Sequence, residues 1–361
     1  MNQNSFKLLF GLLFFFCGGA NAKIWRVNNN TGVVADFTSF SNAATAASVA
    51  PGDTLHIEAS ATAYESSFTL TKRLTVIGLG YFLNPANAST PGNAGLQATT
   101  LSSRINFFTI GNGANGSKFL GITIETGPYL NASATPYNLV FEKCYFPGYY
   151  ALYLNNAGNY NGITVRKCFI AGSNAFEDPG ASSVVSNLIV ENNILNGGFS
   201  YTGLTGAANI FRNNSINNDV AHSFTNIYLA NNIFGNVAAG QLTFTNAIVK
   251  NNLFTSSPTL PVGATGNQVN VTIGNVYVAG NTGSLDSRVQ LKTPLSSNPA
   301  YQGGLTVGAV VTPDAGAYGG PDPYKLSGIP NIPSIYTLVV PATLPAGTTS
   351  FNATISTRNN N

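Results

Sequence analysis

Asp219 and His222 stand three residues apart, close enough for a carboxylate to orient or charge an imidazole that then moves a proton. Two cations in the same region, Arg212 and Lys250, can neutralise an acidic sugar, and these four are the candidate catalytic residues. A lone histidine in a loop is more often simply a polar loop residue, and His56 reads as part of an early strand. The rest of the chain offers little support for catalysis. Of its 13 acidic residues only Glu177 and Asp178 are adjacent, just before Pro179-Gly180, and no Asp-Asp or Asp-x-Asp pair occurs. Metal-ligand spacing, a phosphate loop and a nucleophile elbow are all missing, so neither a metal nor a cofactor is expected.

Tyrosine offers a different chemistry. Tyr145, Tyr149, Tyr150, Tyr153 and Tyr160 crowd a short stretch with Asn155, Asn156, Asn159 and Asn161. Aromatic faces with amide neighbours suit neutral sugars, which present C–H faces and hydroxyls. The competing explanation is that tyrosine favours strand surfaces whatever its function.

The elements that must position these residues come from a repeat. Val140-Phe141-Glu142-Lys143-Cys144-Tyr145-Phe146 recurs in variant form to Tyr277-Val278-Ala279-Gly280-Asn281. Taking Cys144, Cys168, Asn193, Asn214, Asn232, Asn252 and Asn281 as position zero, the spacing varies from 18 to 29 residues. Apolar residues stand three and, nearly always, five positions earlier. Buried columns two apart define a strand, and a variable period of this length defines a β-solenoid. Position zero then lies at a bend, where a column of asparagines can satisfy itself by amide-to-amide bonding and tolerate left-handed backbone. Cys144 and Cys168, stacked roughly 4.8 Å apart, are within disulfide range, though a pair of free thiols fits equally well.

Two outward columns follow from the same register. Position −2 reads Glu142, Arg166, Glu191, Arg212, an alternation expected to form ion pairs. Position −4 reads Val140, Thr164, Ile189, Ile210, Tyr228, Ile248, Tyr277, an apolar stripe that needs either a covering segment or a partner.

Near the N-terminus, Phe37 to Val49 fits a short helix, followed by Pro51-Gly52-Asp53-Thr54-Leu55-His56-Ile57 and Leu74-Thr75-Val76-Ile77-Gly78. This succession, with the later Asn-Asn-x-Phe phrase, resembles the cap and coils of the pectate-lyase-like right-handed parallel β-helix superfamily. The resemblance covers about Phe37 to Asn281 and implies an all-β fold with a plug over one open end. It also implies enzymes that cleave acidic polysaccharides. Its lyases use a basic residue beside calcium held by carboxylates, and its hydrolases use clustered aspartates; this chain matches neither set. In that family long loops line the groove, which makes Asn84 to Thr99 a candidate wall. The segment from Ala315 to Pro333 and the ending after it resemble the tails of exported β-helix proteins of Bacteroidota.

Residues 1–22 read as a cleaved secretory signal: Lys7, an apolar run from Leu8 to Cys17, then Ala20-Asn21-Ala22. The body is expected over 23–315 and a Pro/Gly-rich tail over 316–361, whose strands are candidates to cover the −4 stripe. Charged residues make up only 8% of the chain and the net charge is +3, which implies neither nucleic acid nor membrane insertion. The expectation is therefore an exported, non-catalytic β-helix located outside the cell, on its surface or in the periplasm. It would bind a polysaccharide or cell-surface glycan, or act as an adhesive element, with other copies or a surface protein meeting the apolar stripe. The alternative is a polysaccharide lyase or glycoside hydrolase.

Overall fold

The computed structural model describes residues 22–358 apart from 65–66, 85–99, 134, 179–182, 206–207 and 281–283. The expected signal segment up to Asn21, the loop wall beyond Asn84 and the ladder position Asn281 therefore lie outside the described residues.

The chain winds as a right-handed parallel β-helix of three sheets. The first has ten strands, from Ile24–Val27 to Ile248–Lys250, and the other two have eight each. The second sheet runs from Arg104–Ile105 to Leu253–Phe254, and the third from Thr69–Leu70 to Leu242–Thr245. All three are parallel, with each column paired to its own copy on the next coil: Phe141 to Val165, Val190 to Phe211, Leu229 to Val249. The interior is packed with aromatic stacks such as Phe119 on Phe141 and Phe234 on Phe254, with centroids 4.9 and 4.8 Å apart. A helix, Phe40–Thr45, closes the N-terminal end. It is shorter than the sequence pattern suggested, with Ser39 accepting from Asn42 N as its cap and Phe40, Ala43 and Ala44 buried.

The Asn-Asn-x-Phe phrase divides four tasks among four residues. The left-handed residue falls one place earlier than expected, at position −1. Lys143, Lys167, Asn192, Asn213, Asn231 and Asn251 have φ between 51° and 59°. Position zero points inward and forms the ladder. Asn193 Nδ2 donates to Asn214 Oδ1 at 3.0 Å, Asn214 to Asn232 at 3.0 Å, and Asn232 to Asn252 at 2.9 Å. Each backbone N–H in the column also reaches the next side-chain oxygen. The ladder extends to Asn267, only 15 residues past Asn252, where the final coil is short. Cys144 and Cys168 begin the column as buried free thiols rather than as a bridge, with Cys144 N donating to Cys168 Sγ at 3.3 Å. The next residue faces out from the second sheet, and the last fills the core.

The left-handed column has a further role, because its side chains hold the C-terminal segment. After the last coil the chain reverses and runs back along the second sheet as a strap. Asn251 Nδ2 donates to Gly303 O at 3.0 Å and Asn231 Nδ2 to Leu305 O at 2.9 Å. Asn192 Nδ2 donates to Ala317 O at 3.0 Å and Gly319 O at 2.7 Å. Lys167 pairs with Asp322 at 2.5 Å, and Lys143 Nζ donates to Ile329 O at 2.9 Å. Gly121 takes the corner one coil earlier, with φ +61°, and a Cβ there would meet Pro330 Cγ at 2.3 Å. Beneath the strap Phe169, Ile194, Ile233 and Leu253 are wholly buried with Val289, Ala315, Ala317 and Tyr324.

The strap thus covers the second sheet and leaves the −4 stripe of the first sheet open from Val140 to Ile248. Tyr277, expected to continue that stripe, instead lies beyond the last first-sheet strand and is buried with the strap's apolar residues, while Val278 is exposed. Ile248 is 53% exposed, and Val140, Ile189, Ile210 and Tyr228 are half-buried. The final strands, Ser334–Val339 and Thr354–Arg358, pair with each other as an antiparallel ribbon. The −2 column forms the expected ion pairs, Arg166 to Glu142 and Arg212 to Glu191, both at 2.7 Å.

The two adjacent asparagines should respond differently to substitution. Asn214→Ala strands the buried partners of a four-way amide and should cost at least about 3 kcal/mol. Asn213→Gly keeps the left-handed corner and loses one bond to Asp314 O, so it should cost about 1 kcal/mol. Urea unfolding of both variants measures the difference; equal losses would contradict this division of roles.

Candidate functional site

The outward column of the third sheet carries the most distinctive surface. In register it reads Thr109, Tyr129, Tyr153, Glu177, Ser200, Ser223, Thr243, because Tyr129 pairs with Tyr153, Tyr153 with Glu177, and Glu177 with Ser200. Alternation along a strand turns Leu130, Leu154 and Phe176 into the core and leaves this set facing out. Parallel stacking then places the two tyrosines one above the other, with centroids 4.6 Å apart.

The bend before the third sheet widens the surface. Tyr150 lies 4.6 Å from Tyr153 and 4.7 Å from Tyr149, and Phe107 meets Tyr129 edge-on at 4.7 Å. Phe107, Tyr129, Tyr150 and Tyr153 are half-buried and Tyr149 is exposed. The rings support one another and still offer surface, at little entropic cost on capture. Next to them a cleft of about 240 Å³ is lined by Asn174, Glu177, Asp178, Ser200 and Ala221 among others. Asn174 Nδ2 donates at 2.9 Å both to Glu177 Oε2 and to the Tyr149 hydroxyl, tying cleft and platform together. Partial burial, then Tyr129 and Glu177 close by, raises the Tyr153 hydroxyl above its ordinary value. Burial and then Glu177 do the same for Tyr150.

Of the five tyrosines read from the sequence, Tyr149, Tyr150 and Tyr153 meet on this face. Tyr145 lies on the second sheet, packed by Tyr81, Phe82 and Phe169. Tyr160 is a core residue whose hydroxyl donates to Leu130 O at 3.1 Å. Tyr129 and Phe107 were missed. Tyr129 precedes Tyr153 by 24 residues, the spacing of Cys144 and Cys168, so carrying the register back one coil would have found it.

The structure does not bring the four candidate catalytic residues together. His222 points into the core from the third sheet, 1% exposed, its ring parallel to Phe224 and edge-on to Phe234. Burial lowers its pKa to about 4, with Asp219 opposing weakly. Asp219 is exposed and caps Ala238 N at 2.8 Å. Arg212 is engaged by Glu191 on the outer face of the first sheet, the sheet that also carries Lys250. The sequence placed His222 in a loop, but its strand, His222–Thr225, begins at the imidazole itself. Among the described residues no group of three or more His, Cys, Asp or Glu could hold a metal ion, and no helix is long and apolar enough to cross a membrane.

No protein-family model and no curated protein matches this chain.

His222 contributes a pH dependence whose sign follows from its lowered pKa. The unfolded chain binds a proton near pH 6.5 and the folded chain only near 4. Stability therefore falls as pH drops from about 6.5 to 4, by up to about 3 kcal/mol. Phe199 is the residue registered with His222 one coil away, so His222→Phe extends an existing column. The variant should gain several degrees of melting temperature at pH 4.5 relative to the parent and much less at pH 8; calorimetry at the two pH values checks this, and an equal gain at both would contradict it.

Proposed function

We propose that this chain is an exported β-helix protein of the pectate-lyase-like kind that binds glycan without cleaving it. Binding would occur through the outer face of the third sheet. The observation that carries the reading is the mutually braced platform of Phe107, Tyr129, Tyr150 and Tyr153 beside a cleft rich in hydrogen-bonding groups. Stacked strands repeat every 4.8 Å or so, close to the length of one pyranose unit, so a sugar chain lying along the solenoid axis would meet one rung per residue. A wall of C–H faces on aromatic rings, with amides and carboxylates at the edge, is the arrangement that saccharides use best.

The lyase or hydrolase reading needs acid, base and cation in one place. Its four residues are divided between the core and two outer faces, which favours binding over turnover. Export rests on the sequence of residues 1–22, and a location outside the cell, on its surface or in the periplasm follows from it. The half-exposed −4 stripe is the face through which other copies or a surface protein would attach. Mass and sedimentation of the exported chain test both points. The chain should begin at Lys23 and associate, and Ile248→Glu should return it to a monomer; a monomeric parent would remove the stripe from the account.

For the principal reading, affinity electrophoresis and calorimetric titration against a panel of neutral and charged polysaccharides give the direct measurement. Tyr153→Ala should weaken binding about tenfold, the equivalent of ~1.4 kcal/mol, with folding intact because the ring lies on the surface. Robust release of reducing or unsaturated ends from any polysaccharide of the panel would establish the enzymatic alternative instead.

A further inference from the structure

The charges of the coils from Tyr129 to Thr245 are sorted by face. Their basic residues are Lys143, Arg166, Lys167 and Arg212, and all four lie on the first sheet or at its corner with the second. None of the eight strands of the third sheet contains a lysine or arginine. The acids divide differently. Glu142 and Glu191 are neutralised by Arg166 and Arg212 on the first sheet. Glu177 and Asp178 line the cleft beside the tyrosine platform, and Asp219 lies in the turn next to Val220 and Ala221 of the same cleft. The aromatic surface therefore sits in a field of one sign, with no cation on its own sheet to offset it.

This arrangement selects among sugars. A uronate chain would bring carboxylates against Glu177 and Asp178 with no basic group to receive them, and like charges at close range repel. A neutral sugar would leave the charge unused. A sugar carrying an ammonium group would stack on Tyr129 and Tyr153 and place its cation at Glu177, one rung along the same column. Asn174 holds the Glu177 carboxylate in position, and one side of the ammonium could rest on a tyrosine face.

We propose that the third-sheet face takes a chain of sugars bearing free ammonium groups, of the glucosamine type, and rejects polyuronates. The proposal rests on the glycan-binding reading and adds the charge of the ligand to it. Its test is calorimetric titration of the full chain, below neutral pH, with three oligosaccharides of equal length: glucosamine, its N-acetylated counterpart and galacturonate. The glucosamine oligomer should bind most tightly and the galacturonate oligomer most weakly. Glu177→Gln should reduce affinity for the glucosamine oligomer about fivefold and leave that for the acetylated one unchanged, the scale expected for one partly exposed ion pair. Added salt should narrow the gap between the charged and acetylated oligomers. Equal binding of those two, or tighter binding of galacturonate, would overturn the charge assignment while leaving the tyrosine platform as a sugar site. If no oligomer binds and Tyr153→Ala changes nothing, the glycan-binding reading falls with it.

Discussion

The structure depends on one corner, repeated along the solenoid. At the end of each first-sheet strand the backbone must turn sharply while a polar side chain enters the core, and these two demands fall on adjacent residues. The left-handed conformation costs an ordinary L-residue about 1–2 kcal/mol, and asparagine adopts it with less strain than most. The buried amide is tolerated because its partners are the amides above and below. A single asparagine could not do both: the left-handed residue points its side chain away from the core that the ladder occupies.

That separation explains what the sequence revealed and what it concealed. The inward columns, the parallel register and the outward charge pairs are legible because a two-residue period repeated over many coils leaves few other solutions. The assignment of left-handedness to the wrong asparagine arose because both members of the pair are the same residue type in four of the six coils. The informative copies were Lys143 and Lys167. There the position before the ladder is a lysine while the ladder position is a cysteine, so the two columns have different chemistry and cannot share a role.

The site was less legible because strand position, more than residue type, decides what a tyrosine does. Tyr153 and Tyr160 are seven residues apart and of identical chemistry, yet one faces solvent and the other is in the core. The third sheet is built of strands only two to four residues long, too short for alternation to declare itself in one copy. Register with neighbouring coils supplies the missing information, and it joins Tyr129 to the platform and moves His222 from a loop into the interior. The strap was hidden for another reason. Many of its hydrogen bonds are made by main-chain groups, which every sequence has, to side chains more than fifty residues distant.

A stack of coils is ordinarily a one-dimensional object in which each rung knows only its neighbours, so an end can fray without disturbing the middle. The strap changes that topology. By reaching from the last coils back to Tyr81, where the Tyr324 and Tyr81 hydroxyls meet, it links rungs that share no strand pairing. Loss of the terminal coil would loosen its anchor and expose the apolar face of every coil beneath, so the array should melt as one cooperative unit. It also means that the part of the chain synthesised last completes the burial of parts made much earlier; until it emerges, the growing solenoid carries an uncovered side.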